Sequence, residues 1–415
     1  MNEKLIGNAI VGQSGGPTAA INATLAGVIK GALENSAVNT VYGMRNGIEG
    51  MLAERLIDLG AIFSDTKKFD MLVHTPAAAL GSCRKKLPDP ESQKPEDIAL
   101  YEKIFDIFEK YDIRYFFYIG GNDSMDTVAK VYKYAQKKSY DIRIMGVPKT
   151  IDNDLVATDH TPGFGSAAKF VSTVMTEIVR DCAVYTTKAV TIVEVMGRDA
   201  GWLTASAGVG KALGIDCPDL VYLPERSFSL EEFFASLKVA FEKHPNIVVA
   251  VSEGIRFADG RYVGEGTQSG STDVFGHKYL AGTAKALELA VKAEFDCKVR
   301  SVELNLPQRC GAHIASKTDL DESVAIGAEA VRVASDEGAS GEMVLFERVS
   351  DAPYECAIRH KKVSDIANAV RCVPDAYINA EGNHITEACC EYILPLINGE
   401  SYPEYENGMP KYIVL

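Results

Sequence analysis

Short apolar segments alternate with longer amphipathic ones along most of the chain. Several of the apolar segments are nearly continuous runs, and these are Leu5–Val11, Tyr115–Ile119, Ile142–Val147, Val190–Val195, Leu220–Leu223 and Ile247–Val251. Continuous runs of this length are typical of parallel strands that are buried on both faces of a sheet. Helical spacing follows them, as in Val128, Tyr132 and Ala135. The pattern predicts an α/β fold with doubly wound, mainly parallel sheets and right-handed crossovers.

Two segments interrupt this alternation and are predicted to be long loops. Leu87–Asp97 contains Pro88, Pro90 and Pro95 among charged residues, and Arg256–Ser271 is rich in glycine and serine, as in a mobile lid. The full length of 415 residues is sufficient for two or three domains, each with its own core. Ligands of doubly wound sheets bind beyond the carboxyl ends of the strands, so functional residues are expected where the predicted strands end.

The first motif follows the first predicted strand and reads Gly12-Gln13-Ser14-Gly15-Gly16-Pro17-Thr18. Glycines let backbone N–H groups approach an anion closely, and the N-terminus of a following helix adds partial positive charge. Pro17 suits the first position of a helix, so the helix is predicted to begin near it. The motif predicts a phosphate-binding turn, and the alternative is a tight structural turn between strand and helix.

The second motif follows another predicted strand and reads Gly120-Gly121-Asn122-Asp123-Ser124. Paired glycines again end an apolar run before a helical segment. Asp123 or Ser124 taken alone could simply cap that helix. A second glycine turn at the end of a strand favours one shared phosphate cleft over two unrelated turns.

The third motif reads Gly146-Val147-Pro148-Lys149-Thr150-Ile151-Asp152-Asn153-Asp154 and places two carboxylates directly after an apolar strand. A carboxylate at this place can accept a proton from a hydroxyl group or hold a magnesium ion. Lys149 can neutralise the charge of a phosphate. The structural alternative is a network of turn-forming Asp and Asn side chains.

Together these motifs resemble the phosphofructokinase family. The resemblance also rests on Val193-Glu194-Val195-Met196-Gly197-Arg198, Ser252-Glu253-Gly254 and Pro307-Gln308-Arg309, which occur in the family's order. It implies two doubly wound, Rossmann-like domains with mainly parallel sheets. The implied donor-binding domain comprises residues 1–163 and 309–348, and the implied fructose 6-phosphate domain comprises residues 164–308 and 349–415. The resemblance further implies a homodimer or homotetramer.

The resemblance implies phosphoryl transfer to the 1-hydroxyl of fructose 6-phosphate with Mg2+ as cofactor. Asp152 matches the family's general base, and the further implied catalytic residues are Lys149, Thr150 and Arg198. The implied acceptor-binding residues are Thr150, Ile151, Asp152, Met196, Gly197, Arg198, Glu253, Arg300 and Arg309. Arg300 is expected to act from a neighbouring subunit. The implied donor-binding residues are Gly15, Gly16, Arg84, Gly121, Asp123 and Ser124, and the implied metal ligands are Asn122, Asp123 and Asp154.

Two positions bear on the identity of the phosphoryl donor. ATP-using members of the family typically carry glycine at the positions of Asp123 and Lys149. A carboxylate at Asp123 places negative charge and bulk where the α-phosphate of ATP would pass. Lys149 adds a cation that can stabilise charge on the transferring group. Both residues predict the pyrophosphate-dependent branch of the family. The resemblance to that branch implies fructose 1,6-bisphosphate and phosphate as the products of a reversible, glycolytic reaction.

Other positions depart from the family pattern. Asn122 stands where the family has a metal-binding aspartate, which makes the magnesium site less anionic. Leu306 replaces a polar or aromatic residue three positions before Arg309, so one contact to the 6-phosphate is expected to be missing. Ala189 stands near a second cross-subunit arginine of the family, and Lys188 is the candidate substitute.

Composition limits the expected partners and location. The net charge is −14, whereas broad binding to nucleic acid or anionic membranes needs an extended positive field, so neither partner is expected. No signal-like segment precedes the first predicted strand, and no apolar run is long enough to span a membrane, so a cytoplasmic location is expected. The nine cysteines include no Cys-x-x-Cys pair, which predicts reduced thiols.

Three rival interpretations stay open at this point. An ATP-dependent phosphofructokinase would differ in its donor. A catalytically weak, regulatory relative is suggested by Asn122 and Leu306 and opposed by Asp152 and Lys149. A nicotinamide-dependent dehydrogenase would need Gly-x-Gly-x-x-Gly at the first turn, a spacing that the first motif does not provide.

Overall fold

The computed structural model describes residues 4–265 and 282–415. Within them the strands are β1 (Gly7–Gln13), β2 (Val38–Met44), β3 (Leu56–Asp58), β4 (Ile113–Gly120), β5 (Arg143–Pro148), β6 (Ala189–Val195), β7 (Leu220–Tyr222), β8 (Ser227–Phe228), β9 (Asn246–Ser252), β10 (Arg256–Phe257), β11 (Lys298–Glu303), β12 (Glu342–Asp351), β13 (Tyr354–Lys362), β14 (Tyr405–Glu406) and β15 (Met409–Pro410). The α-helices are α1 (Ile21–Leu33), α2 (Gly47–Leu52), α3 (Leu59–Ile62), α4 (Thr66–His74), α5 (Pro95–Lys110), α6 (Asn122–Lys138), α7 (Phe164–Cys182), α8 (Trp202–Ser206), α9 (Leu230–Phe241), α10 (Thr283–Glu294), α11 (Pro307–Cys310), α12 (Lys317–Arg332) and α13 (Glu387–Ile393). Every predicted strand is present, as β1, β4, β5, β6, β7 and β9.

Two sheets organise these elements. The larger has the strand order β13-β12-β5-β4-β1-β2-β3, in which the pairs from β12 to β2 are parallel and the edge strands β13 and β3 are antiparallel. The smaller has the order β11-β6-β9-β7, and its pairs are all parallel. Both sheets are mainly parallel, which confirms the predicted α/β class with doubly wound sheets.

Helices cover both faces of each sheet, which explains why the strands read as continuous apolar runs. In β1, Ala9 and Val11 pack with residues of α1 and α12, whereas Ile10 between them packs with α5 and α6 on the opposite face. The smaller sheet is built in the same way, since Val193 packs toward α7 and Ile192 toward α9 and α10. Successive side chains of a strand point to opposite faces, so a strand covered twice needs apolar residues at every position.

Sheet membership bears on the domain division, which stays a proposal. The proposed crossing between residues 163 and 164 coincides with the start of α7. The proposed crossing between residues 348 and 349 falls within β12, and β13, which was assigned to the fructose 6-phosphate domain, pairs with β12 in the larger sheet. The proposed boundary therefore separates two strands that pair in one sheet.

One predicted loop is shorter than expected. Pro95 occupies the first turn of α5, so only residues 87–94 of the predicted loop Leu87–Asp97 are irregular. Proline is favoured at this position because its missing N–H has no acceptor there and its φ angle already suits a helix. The other predicted loop, Arg256–Ser271, begins with β10, and its residues 266–271 lie outside the described part of the chain.

The structure also bears on the state of the cysteines and on membrane-spanning helices. All nine cysteines are free thiols, as the sequence predicts. Among the helices of residues 4–265 and 282–415, none has the length and apolarity that crossing a bilayer requires.

Candidate active site

The carboxyl ends of strands from both sheets open into one cleft of about 480 Å³. The ends of β1, β4 and β5, which are neighbours in the larger sheet, supply the two glycine turns and the loop of residues 149–154. The ends of β6 and β9, neighbours in the smaller sheet, supply residues 196–200 and Glu253. The predicted site residues that line the cleft are Gly15, Gly16, Arg84, Gly121, Asn122, Asp123, Ser124, Lys149, Thr150, Ile151, Asp152, Asp154, Met196, Arg198, Glu253 and Arg309.

The first glycine turn leaves β1 and is fixed by side chains beneath it. Gly15 has a φ angle of +78°, a conformation that glycine adopts without strain. The buried side chain of Gln13 donates to Oδ1 of Asn22 at 2.9 Å, which ties the turn to α1. The prediction that the helix begins near Pro17 is wrong, because α1 begins at Ile21. The carbonyl of Thr18 accepts the N–H of Ala77 at 3.2 Å, so the residues before α1 are held as an irregular approach.

The second glycine turn leads directly into α6. Gly121 is the N-cap residue, and no side chain caps this helix, so the alternative in which Asp123 or Ser124 serves as a cap is wrong. Ser124 lies in the first turn, where its Oγ is so close to Gly120 that a Cβ at that glycine would be 1.9 Å from it. The carboxylate of Asp123 pairs with Nζ of Lys86 at 3.2 Å. The turn thus presents the N-terminus of a long helix to the cleft, an arrangement that favours anions.

Lys149 joins the first motif to the third. Its side chain is 2% exposed, and its Nζ donates to the carbonyl of Gly16 at 2.5 Å. Burial lowers the pKa of Lys149 to about 8, with the charge of Asp152 opposing this shift and the nearby charges of Arg309 and Arg84 adding to it. A cation therefore lies beneath the first glycine turn and next to the carboxylates of the third motif.

The two aspartates of the third motif differ in their surroundings. The hydroxyl of Thr150 accepts a hydrogen bond from the N–H of Asp152 at 3.1 Å and donates one to Oδ2 of Asp152 at 3.4 Å. These two bonds orient the carboxyl group of Asp152. Burial raises the pKa of Asp152, although Lys149 opposes the shift. Burial and then the charge of Asp152 raise the pKa of Asp154 to about 7. A carboxylate with a raised pKa is suited to accept a proton near neutral pH.

Residues at the ends of β6 and β9 form the opposite wall. The N–H of Gly197 donates to Oε1 of Glu253 at 3.2 Å, so Gly197 lies behind the lining and positions a carboxyl group that lines it. The N–H of Met196 donates to Oε1 of Gln308 at 3.1 Å. Burial raises the pKa of Glu253 to about 8. Nε of Arg198 is buried and has no hydrogen-bond partner among the described residues.

Arg84, Lys149 and Arg309 concentrate positive charge in the cleft. A Cβ at Gly16 would lie 3.5 Å from Nη1 of Arg309, so this arginine reaches the first glycine turn. Burial and then the charge of Arg84 lower the pKa of Arg309. Three cations that repel one another are held together here by the fold, and their repulsion is relieved when an anion lies between them.

Other predicted residues lie away from the cleft. Arg300 is exposed on β11, the edge strand of the smaller sheet, so its action in a neighbouring site stays a prediction. Leu306 is 56% exposed, and the loss of a 6-phosphate contact there also stays a prediction. Nζ of Lys188 lies 4.1 Å from the ring centre of Phe241. The role of Lys188 as a substitute for the second cross-subunit arginine stays a prediction.

Sequence reasoning missed several residues that line the cleft. Lys86 is one of them, and the basic run Arg84-Lys85-Lys86 was a usable signal. Asp199 follows Arg198 directly and also belongs to the lining. Asn368 and Val370 come from the segment after β13, in which no motif pointed to the site.

The residues predicted to hold Mg2+ fit such an ion. Oδ1 of Asn122 is buried and has no hydrogen-bond partner among the described residues. The carboxyl groups of Asp123 and Asp154 line the same cleft. Mg2+ prefers oxygen ligands and usually combines one or two carboxylates with substrate phosphates and water. An amide oxygen without a partner and carboxylates beside it form a donor set of this kind.

Outside the cleft, His160, Glu322 and Cys356 are close enough to share a metal ion, the only such group found among residues 4–265 and 282–415. The two ring nitrogens of His160 are hydrogen-bonded to Asp159 at 2.9 Å and to Glu322 at 2.8 Å. Burial alone would lower the pKa of His160, but these two carboxylates outweigh it and raise that pKa. Both ring nitrogens of His160 are already bound by carboxylates, so we interpret this group as a hydrogen-bonded structural cluster.

Comparisons with known proteins identify the family of this chain. The sequence matches the family model described as Phosphofructokinase over residues 8–334. It is 40% identical to the pyrophosphate–fructose 6-phosphate 1-phosphotransferase of Halomonas elongata, over 97% of this chain and 95% of that protein. It is 42% identical to the protein of the same name from Xanthomonas campestris pv. campestris, over 99% of this chain and 96% of that protein.

The fold is similar to that of a solved pyrophosphate-dependent phosphofructokinase from Nitrosospira multiformis. The TM-score is 0.88 and the sequence identity is 37%. The similarity covers 98% of this chain and 96% of that chain. At this coverage the likeness includes both sheets.

Proposed function

The chain belongs to the phosphofructokinase family, and we infer that it transfers a phosphoryl group from inorganic pyrophosphate to the 1-hydroxyl of fructose 6-phosphate. The products are fructose 1,6-bisphosphate and phosphate. The observation that carries this inference is the position of Lys149, buried beneath the first glycine turn with Arg84, Arg309 and Asp152 around it. This group can hold a compact, highly charged donor close to a proton acceptor.

Pyrophosphate fits the donor side of the cleft better than ATP does. Pyrophosphate can use Lys149 and the N–H groups of the two glycine turns. ATP would have to pass its α-phosphate and nucleoside along Asp123, whose carboxylate is held by Lys86 at 3.2 Å. Lys86 reduces the net negative charge there but adds bulk at the same place. The ATP-dependent alternative is therefore disfavoured at this position.

Asp152 is the proposed general base. Its carboxylate accepts the proton of the 1-hydroxyl as the oxygen attacks the phosphoryl group, and the hydroxyl of Thr150 holds it in orientation. Lys149 and Arg198 stabilise the charge on the transferring group, because preorganised cations in a dry site act strongly on developing charge. The chemistry needs positioning and charge stabilisation more than covalent participation by the protein.

The remaining assignments follow from the family and from the cleft. Fructose 6-phosphate is held by Met196, Gly197, Arg198, Glu253 and Arg309, with Arg300 supplied by a neighbouring subunit of a homo-oligomer. Mg2+ is held by Asn122, Asp123 and Asp154 and neutralises donor charge when bound. We assign the reaction to glycolysis and expect it to be reversible.

The other two rival interpretations lose support. A dehydrogenase is excluded by the family match over residues 8–334. A catalytically weak relative would not need the buried cation Lys149 opposite Asp152, since burying a charge is costly unless it serves binding or catalysis.

The decisive experiment supplies purified protein with fructose 6-phosphate, Mg2+ and either pyrophosphate or ATP at equal concentration. Formation of fructose 1,6-bisphosphate is measured directly, with the Asp152→Asn variant as the control for contaminating activity. Turnover with pyrophosphate that is lost in the variant supports the proposal. A strong preference for ATP moves the chain to the ATP-dependent branch, and the absence of turnover with both donors refutes the proposal.

A further inference from the structure

The segment after β13 reaches the loop that carries the proposed general base. Its Val370 forms an antiparallel bridge with Leu155, and the N–H of Arg371 donates to the carbonyl of Asp154 at 2.7 Å. The two segments are more than 200 residues apart in the sequence, since the contact between Arg371 and Asn153 spans 218 positions. This loop therefore receives part of its backbone support from the C-terminal part of the chain.

The guanidinium group of Arg371 binds backbone carbonyls on both sides of the loop. Nε and Nη2 both donate to the carbonyl of Asn153, at 3.3 and 3.1 Å. Nη1 donates to the carbonyls of Thr158, at 3.2 Å, and Asp159. The loop is buried at Asn153 and Thr158, where carbonyl groups without a partner would be costly. Only an arginine offers enough donors in a fixed plane to satisfy these acceptors together.

The hydroxyl of Tyr392, on α13, completes the set of contacts. It accepts hydrogen bonds from Nδ2 of Asn153 at 2.9 Å and from Nη2 of Arg371 at 3.1 Å. It donates to the carbonyl of Asp159 at 2.6 Å. Each hydrogen-bonding position of this hydroxyl is used, and each partner belongs to the loop or to Arg371.

Trp202 holds Arg371 in place from the other side. The indole N–H donates to the carbonyl of Arg371 at 2.9 Å, and the guanidinium lies 4.4 Å from the centre of the indole ring. Tyr392 packs on the same indole, with ring centres 5.1 Å apart. The arginine is therefore fixed by a buried aromatic pair before any substrate binds.

We propose that Arg371, with Tyr392, is a positioning residue for phosphoryl transfer, because it fixes the backbone of residues 153–159 and so the direction of the Asp152 carboxylate. Asn153 has a φ angle of +54°, in the left-handed region, which asparagine tolerates better than other residues with a side chain. Arg371 and Tyr392 bind the carbonyl and the side chain of Asn153 in that conformation. The proposal rests on the proposed function, since it concerns the base of that reaction.

The experiment compares Arg371→Lys and Tyr392→Phe with the wild-type enzyme in the pyrophosphate assay. Arg371→Lys keeps the charge but loses the planar fork, and kcat is expected to fall about 10- to 100-fold, the scale of a displacement of about 1 Å in a reacting group. Tyr392→Phe removes one hydroxyl and is expected to lower kcat by a smaller factor. KM for fructose 6-phosphate stays within about threefold, because neither residue is among those proposed to bind the sugar.

A stoichiometry measurement separates positioning from partial misfolding. Binding of fructose 6-phosphate per protein chain is titrated calorimetrically, and kcat is expressed per binding-competent site. A low kcat per competent site supports the proposal, and emission from Trp202, the only tryptophan in the sequence, is expected to shift in Arg371→Lys. A normal kcat per competent site in both variants overturns it, because the residues would then serve stability alone.

Two control variants are available in the same part of the chain. Tyr377→Phe alters another tyrosine of the aromatic cluster, whose ring centre is 6.1 Å from that of Trp202. Arg226→Lys alters another arginine that binds the C-terminal segment, through Asp375 at 2.7 Å. Both are expected to retain kcat within about twofold, and equal losses in these controls overturn the proposal. Wild-type enzyme without pyrophosphate turnover would instead refute the proposed function itself.

Discussion

Replacing Lys149 by methionine tests the donor side of the cleft most directly. The substitution keeps the length and apolar stem of the side chain and removes its charge. Lys149 is 2% exposed, so water cannot take over the role of the missing ammonium group. We expect kcat with pyrophosphate to fall strongly, with KM for fructose 6-phosphate within about threefold, because the lost charge acts on the transferring group.

The magnitude follows from the burial of the ammonium group. Two unit charges about 4 Å apart interact with about 4 kcal/mol at an effective dielectric constant of about 20. Removing one preorganised donor from a developing charge typically costs about 2.7–4 kcal/mol, or about 10²- to 10³-fold in kcat. The two estimates agree, and we expect a loss of about 10²- to 10³-fold.

The pH dependence of kcat/KM for pyrophosphate provides a second readout. Burial lowers the pKa of Lys149 to about 8, so the ammonium form prevails below that pH and is lost as the pH rises through it. If the cation is needed, wild-type kcat/KM for pyrophosphate, which reports the ionisation of the free enzyme, falls about tenfold for each pH unit above about 8. Lys149→Met should lack this alkaline limb. Rates of fructose 1,6-bisphosphate formation at pyrophosphate concentrations well below KM, with saturating fructose 6-phosphate and Mg2+, measure this dependence in both enzymes.

Lys169 provides a matched control for the structural cost of the change. Its Nζ also donates to a glycine carbonyl, that of Gly399 at 2.5 Å, and its side chain is 11% exposed. Lys169→Met loses a similar hydrogen bond, and also an ion pair with Glu400 at 3.0 Å, away from the cleft, and should keep kcat within about threefold. If Lys149→Met keeps more than about a third of wild-type kcat, or if Lys169→Met loses as much as Lys149→Met, the argument from the buried charge is refuted.

Three further predictions concern other residues of the site. Asp152→Asn should lower kcat by at least about 10²-fold, the scale of general-base loss, and near-native turnover in a pyrophosphate assay would remove the assignment. Asp123→Gly should raise the ratio of ATP to pyrophosphate turnover about tenfold or more, since it removes a carboxylate, and the Lys86 side chain paired with it, from the path of the α-phosphate; an unchanged ratio contradicts the donor argument. Mixing Asp152→Asn with Arg300→Ala subunits should restore activity in hybrid oligomers if Arg300 acts across an interface. Demonstrated subunit exchange without recovered activity would show that each site is built from one chain.

The parts of the fold that the sequence predicted are those with a local signal. Strands buried on both faces need apolar side chains at every position, so β1 and β9 were visible as continuous runs. The edge strand β11, with the sequence Lys-Val-Arg-Ser-Val-Glu, has no fully buried residue and escaped this criterion. The start of α1 was misplaced because Pro17 is a local signal, whereas the contact of Thr18 with Ala77 depends on the fold.

The sequence by itself determined the chemistry that the site offers. Glycine turns at strand ends, the carboxylates of the third motif and Lys149 are short-range features whose meaning does not depend on distant residues. Only the tertiary structure decided how they meet. Lys149 reaches the carbonyl of Gly16 across 133 positions, and Arg371 reaches Asn153 across 218. Such pairs cannot be seen in the sequence pattern, because they depend on the order of the parallel strands in the sheet and on the return of the C-terminal segment to the cleft. Both of these are decided by tertiary packing rather than by local propensity.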